Sequence, residues 1–375
     1  MATDVATQQV TPRTAGFAAP ARTAPHARTL VSWPTGRDVW GAHRVRALAE
    51  YAALIEAIAR FEPVSVVADP AQAAEAREQC GFAGVEVLEL PIDDAWIRDN
   101  GPIYLVDGND GVALLQFRFN AWGEKYLPYD KDADLPRRLA EVQGMRRFTS
   151  ALVMEGGGFT VDGEGTLITT ESVVMNPNRN PGWSRAECEA ALCEGTGAEK
   201  VIWLAHGLAE DRDTDGHSDN VVQFAGPGRV VVQVAPDRAN PNHGPLRENA
   251  ERLRRATDAQ GRRLEVVEVP QLPYTELDGN RLAVPYVSER RGDRTAARRP
   301  WRGRGVRPAG GAASRARGDR RREHDARLRR RWHRMRHAAC PGRRSGPGPA
   351  MRQTRRHEWP AGSPQASPPQ GRHAP

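Results

Sequence analysis

The chain has 375 residues, enough for one large domain or two ordinary ones with a real core, and nowhere does it approach an apolar run able to cross a bilayer. Its formal charge of +7 hides an asymmetry: residues 289–375 hold 25 Arg, no Lys and 6 acidic residues, a charge of +19, whereas residues 1–288 hold 29 basic and 41 acidic residues, −12. A single basic surface for nucleic acid is therefore excluded as a description of the whole chain, and the two parts are read separately.

Residues 1–24 lack the charged start and apolar run of a secretory signal and read as a flexible leader. Chain order then alternates strands and helices. ARTLVSW is a strand, and HRVRALAEYAALIEAIARF is a helix with Val45, Leu48, Ala52, Ile55 and Ala59 on one face. PVSVVAD is a strand; AQAAEAREQC is a helix stopped by a left-handed Gly81; VEVLEL is a strand. VALLQFRF reads as a strand, DLPRRLAEVQ as a helix, and ALVMEGGGFTVDGEGTLITTESVVM as strands broken by glycine turns. In SRAECEAALCEG, Ser184 and Glu187 match a capping box, so that helix starts near Arg185. KVIWLA is a strand, NVVQFAGPGRVVVQVA two strands around a turn, PLRENAERLRRATDAQG a helix and LEVVEVP a strand. Hairpins among helices indicate a mixed α/β fold with an internal structural repeat rather than a purely parallel sheet.

Three stretches carry chemistry. GLAEDRDTDGHSDN places Asp213, Asp215, His217 and Asp219 within seven residues, a setting that suits proton transfer; a solvated acidic loop explains such a run equally well. PIDDAWIRDNGP surrounds Trp96 and Arg98 with Asp93, Asp94 and Asp99, which suits a planar cation, although a polar turn around a core tryptophan is the simpler reading of this stretch alone. MEGGG sets Glu155 before three glycines that let backbone approach a ligand, as they would in any tight hairpin. The carboxylates match no standard metal site, and the four cysteines show neither zinc spacing nor a disulfide framework, so a reducing cytoplasm is expected.

In this order, DDAWIRDNGP, MEGGG and DTDGHSDN resemble the agmatine deiminases, of the guanidine-modifying superfamily that includes bacterial peptidylarginine deiminases; the resemblance runs from about Pro25 to about Val287, with FRFNAWGEKY between the first two motifs. It implies a five-bladed pseudo-symmetric α/β propeller of ββαβ repeats over 25–288. It implies that Asp99 and Asp219 hold the guanidinium, that His217 is the acid/base, that Asp213 and Asp93 lie at the substrate site, and that Trp96 and Glu155 line the pocket. The activity implied is hydrolysis of agmatine to N-carbamoylputrescine and ammonia in polyamine metabolism, through a cysteine adduct of thiouronium type, with no metal or organic cofactor. A small cationic guanidino substrate and a second copy of the chain in a homodimer are the partners expected; membrane and nucleic acid are not. A peptidyl- or free-arginine deiminase is the alternative enzyme, because groups that grip guanidinium do not report what lies beyond it.

The family carries its nucleophile in a late segment of the form GGG-x-x-C-x-T-Q, which is absent here. Cys80, Cys188 and Cys193 read as small buried or half-buried residues, and Cys340, in AACPG, has neither the glycines nor the threonine. Residues 289–375 hold one Leu and one Val and no Ile, Phe, Tyr or Lys, so disorder is expected; the other-class alternative is an arginine arm for nucleic acid. The genetic code suggests a different origin. Joining the last two bases of each codon to the first of the next, Trp332-His333 gives glycine and Met335-Arg336, with a CGN arginine codon, gives cysteine; the neighbouring codons permit G-G-G-G-I-x-C-V-T-Q from Arg329 to Ala338. A frame break near Ser288 is therefore expected, with the nucleophile codon spanning Met335 and Arg336. The last blade would be disrupted, and the chain inactive and poorly folded, with sheet edge and core exposed.

Overall fold

The computed structural model describes residues 10–36, 38–272, 275–277 and 280–282, all within one unit of the chain, 1–302. β1 (Thr29–Ser32), α1 (Arg44–Ala59), β2 (Val64–Ala68), α2 (Ala73–Gln79) and β3 (Val85–Glu89) build a first sheet in the order β1-β2-β3, parallel throughout. A helix crosses over between each pair of strands, as parallel neighbours require.

The next three sheets share a different plan. After the short α3 (Ile97–Asn100) come β4 (Ile103–Val106), β5 (Val112–Arg118), the single turn α4 (Ala121–Glu124), α5 (Asp130–Gln143) and β6 (Arg146–Val153), with β4 antiparallel and β6 parallel to β5. The same pairing holds for β7 (Phe159–Val161), β8 (Thr166–Thr170), the short α6 (Glu171–Val174), α7 (Arg185–Thr196) and β9 (Lys200–Leu204). It holds again for β10 (Val222–Gly226), β11 (Arg229–Val234), α8 (His243–Arg255) and β12 (Glu265–Pro270). A hairpin of β13 (Thr275–Leu277) and β14 (Asn280–Leu282) follows. The mixed α/β fold and the repeating unit are thus present; the first sheet, without its hairpin, is the exception.

The first sheet buries one face against its own helices, whereas Leu115 and Phe148 of the second pack with Cys188 and Leu192 of α7, and Leu135 and Leu139 of α5 pack with Val67 of the first. Val31, Leu48, Ile55, Val64 and Val66 form the core of the first, whereas Val45, placed by periodicity on the same helix face, is 80% exposed at the start of α1. Ser184 accepts from the Glu187 backbone while Glu187 reaches back to the Ser184 backbone, so α7 begins at Arg185 as its capping box dictates. Two expectations fail for local reasons. Gly81 is not left-handed: α2 ends at Gln79 with Cys80 as its cap, and the positive φ falls at Gly84 (86°), in the turn that enters β3. α5 starts at Asp130, ahead of the predicted segment, because the Asp93 carboxylate accepts from the Lys131 backbone (2.9 Å) and caps the helix from 38 residues away.

The N-terminal stretch also departs from expectation. Residues 10–24 are not a free leader: Ala18 bridges Val106 of β4, the Ala19 N–H donates to the Thr196 carbonyl (2.8 Å), and Phe17 packs on Phe148 with ring centroids 5.7 Å apart. The apolar FAA triplet buries against the body and repays its ordering. No helix among the described residues is long and apolar enough to cross a membrane. Residues 289–375, with Cys340 and the Met335-Arg336 position, lie outside the described residues.

Candidate active site

The site is assembled from loops at the ends of three successive sheets. The loop after β3 leads into α3 and delivers Asp99. One Asp99 oxygen accepts from the Gly157 backbone (2.8 Å) and the other from the Trp122 indole N–H (3.1 Å). Trp122 is aimed there by an unusual turn: Ala121, Trp122, Gly123 and Glu124 all have positive φ (52°, 57°, 88° and 61°). Such backbone is costly outside glycine. It is held by the Asn120 side chain, which accepts from the Gly123 N–H (2.9 Å) and donates to the Asn178 carbonyl (2.9 Å).

Glu155 and the three glycines after it connect β6 to β7. Glu155 is fully buried; one of its oxygens lies 3.3 Å from His217 Nε2 and the other accepts from Arg179 Nε at 2.8 Å. His217, also buried, turns its second nitrogen toward Asp99, with Nδ1 3.8 Å from Oδ1. A Cβ on Gly157 would stand 2.5 Å from His217 Nδ1, 2.7 Å from Asp99 Oδ1 and 3.0 Å from Asp219 Oδ2. The three motifs therefore meet around one backbone position that admits no side chain.

The loop before β10 is folded by Asp211, whose carboxylate accepts from the His217 backbone (2.9 Å), the Thr214 hydroxyl (2.6 Å) and the Asn220 amide (2.8 Å). Asp215 (φ 64°) and Gly216 (φ 95°) then reverse the chain, and Gly216 lies so close to Gly207 that neither could carry a side chain.

Charge is arranged for proton transfer. Burial works against the imidazolium of His217, but Asp99, Glu155 and Asp219 together outweigh it and push its pKa up to about 9. Burial would raise Glu155 too; contact with His217 and Arg179 instead brings it below the usual carboxylate range. Burial drives Asp219 up to about 6 against the opposing charges of His217 and Arg98. At neutral pH, His217 thus holds a proton it can give away beside carboxylates able to face a cation.

Asp99, Asp219 and His217, expected at the centre, are brought together, and Glu155 joins them on the Nε2 side of the His217 ring. Asp93, expected at the substrate, has its carboxylate buried and accepting from the Lys131 and Asp132 backbone N–H groups at the start of α5. Asp213 is exposed and accepts from the Tyr126 hydroxyl (2.7 Å), and Trp96, exposed, stacks on Trp40 with centroids 6.4 Å apart. Arg179 escaped sequence reasoning because its partners are mostly distant in the chain, and Trp122, Lys125 and Tyr126, within FRFNAWGEKY, had no role assigned because their polar partners Asp99, Asp215 and Asp213 are distant. Cys80 lies in the core of the first sheet, its thiol pushed up to about 11 by burial; Cys188 and Cys193 lie on α7, their thiols raised chiefly by burial as well. None has the depressed pKa of a nucleophilic thiol.

The model of the family described as Porphyromonas-type peptidyl-arginine deiminase matches residues 18–289. The agmatine deiminase of Stutzerimonas stutzeri is 42% identical over 265 residues, covering 69% of this chain and 72% of that protein. The agmatine deiminase of Ectopseudomonas mendocina is 40% identical over 269 residues, 70% and 73% of the two chains. Among solved structures, an agmatine deiminase of Enterococcus faecalis superposes with a TM-score of 0.67 at 32% identity, covering 70% of this chain and 73% of that one.

Proposed function

This chain belongs to the agmatine deiminase group of the Porphyromonas-type peptidyl-arginine deiminase family, and on that premise we propose that its site is built for hydrolytic deimination of agmatine to N-carbamoylputrescine and ammonia, a step of putrescine formation. The observation that carries the reading is the convergence of His217, Asp99 and Asp219 on the bare Cα of Gly157, with Glu155 behind the ring. A planar guanidinium placed there meets two carboxylates and a proton donor without a competing side chain. A thiolate attacks the guanidinium carbon and the carbon–nitrogen bond breaks as His217 gives its proton to the departing ammonia. His217 then takes a proton from water, which adds to the thiouronium carbon, and the carbon–sulfur bond breaks to return the thiolate. Neither metal nor organic cofactor enters. The acidic charge of residues 1–288, with Asp213 exposed on the loop that carries His217, favours a substrate with a second cation.

The thiolate is the missing part. The family match stops at residue 289, where the composition breaks, which supports a coding-frame break near Ser288 and a nucleophile codon spanning Met335 and Arg336. The first sheet, three ββαβ units and the β13–β14 hairpin support a five-bladed propeller whose last blade is cut short. Ammonia release from agmatine tests both parts: none is expected from this chain, and turnover is expected once the downstream frame is restored. Robust turnover by the chain as it stands would refute the loss of the nucleophile and direct attention to Cys340.

A further inference from the structure

Arg179 lies in the loop NPNRNP between α6 and α7, outside all three motifs, yet its side chain is completely buried. A buried guanidinium survives only where its donors are met by well-placed acceptors. Here they divide between two destinations. Nε donates to Glu155 Oε1 (2.8 Å), the oxygen turned away from His217; Nη1 donates to Asp215 Oδ2 (2.7 Å) and Asn178 Oδ1 (2.8 Å), and Nη2 to the Thr214 carbonyl (3.2 Å). Asp215 stands two residues before His217 in left-handed backbone; Lys125 Nζ (2.7 Å) holds the other oxygen of its carboxylate, and Asn178 Nδ2 (3.0 Å) shares Oδ2 with Arg179.

We propose that Arg179 is a positioning residue of the deimination site, its single guanidinium fixing both the carboxylate that orients His217 and the loop that carries His217. The inference rests on the reading of His217 as the acid/base. Two requirements of that role meet at Arg179. The ring must keep its place through gain and loss of a proton, yet the backbone just before it is held in a conformation that non-glycine residues rarely adopt. Glu155 must also remain an anion after His217 has released its proton, when Asp99 and Asp219 on the far side of the ring only repel it; Arg179 is the cation then in contact with it. Lysine has the charge but not the fork, and cannot reach Glu155 and Asp215 with separate donors.

The test uses the full chain and does not depend on turnover. The protonation of His217 is followed by NMR of the ring in protein labelled at histidine, the signal being assigned by its absence in His217→Gln, and amide exchange is followed over residues 211–217. In Arg179→Met, a proton retreats to Glu155, so His217 loses its imidazolium at a pH lower by about one unit or more, and amide exchange in the loop quickens by about tenfold or more. In Arg179→Lys, the His217 midpoint returns to within about half a unit of the parent while exchange stays fast. In Asp215→Asn, exchange quickens and the midpoint stays. A folded Arg179→Met with the parent's titration overturns the proposal. If Arg179→Met does not fold, the other two variants decide: slow exchange in both, or a lowered midpoint in Arg179→Lys, overturns it. A His217 that titrates in the parent as a free histidine would instead remove the acid/base reading on which the proposal rests.

Discussion

A methyl group at Gly157 would occupy the space in which His217, Asp99 and Asp219 meet. Gly157→Ala is expected to cost about 1–3 kcal/mol by overpacking a buried polar cluster, read by urea denaturation, and to abolish turnover in a frame-restored chain. His217 gives a second expectation. Its folded pKa of about 9 lies above its ordinary 6.5, so its contribution to stability is fully present below that ordinary value and is lost as pH rises through about 9. Unfolding free energy should fall by on the order of 2 kcal/mol between pH 6 and pH 9, and His217→Gln should remove most of that slope. At this scale the sequence was legible where function is local. His217 and Asp219 stand two residues apart with a glycine before them, and that is a signal. The contact of Glu155 is with a histidine 62 residues later, and Arg179 sits among asparagines and prolines whose contacts are invisible until the loops are folded.

Elements were legible where the chain carries its own instructions. The capping box of α7 is one; Ser184→Ala should cost ~1 kcal/mol in thermal or chemical denaturation. β4 was missed because IYLV is short and lies between Pro102 and Asp107, with no alternation to betray it. The start of α5 was missed because its cap is the remote Asp93. That junction is reciprocal: Asp132 on α5 accepts from the Asp93 (2.7 Å) and Asp94 (3.3 Å) backbone N–H groups, tying the helix to the loop that delivers Asp99. Burial, offset in part by those hydrogen bonds, pushes Asp132 up to about 7. A carboxyl raised in this way adds stability below its ordinary pKa and loses it as pH rises through about 7, the opposite of a salt-bridged aspartate. Asp132→Asn should therefore flatten the dependence of stability on pH between 4 and 8, measured as the urea midpoint across that range.

For the whole molecule, composition alone separated the two parts of the chain, and hairpins recurring with helices pointed to a repeat. Sequence could not announce that the first sheet is parallel throughout, because a strand's neighbour is chosen by tertiary packing and not by its own residues. Nor could it announce the docking of residues 10–24, whose apolar content is too sparse to form a periodic signal. Those residues join β4, through Ala18 and Val106, to the end of α7, through Ala19 and Thr196. Deleting residues 1–24 should lower the melting temperature by several degrees, as loss of ~1–2 kcal/mol would do in a domain of this size. The same staple has a consequence for biogenesis. Residues 10–24 find β4 about 90 residues further on and the end of α7 about 180 residues further on, so this stretch is fully fastened only after two sheets have come together.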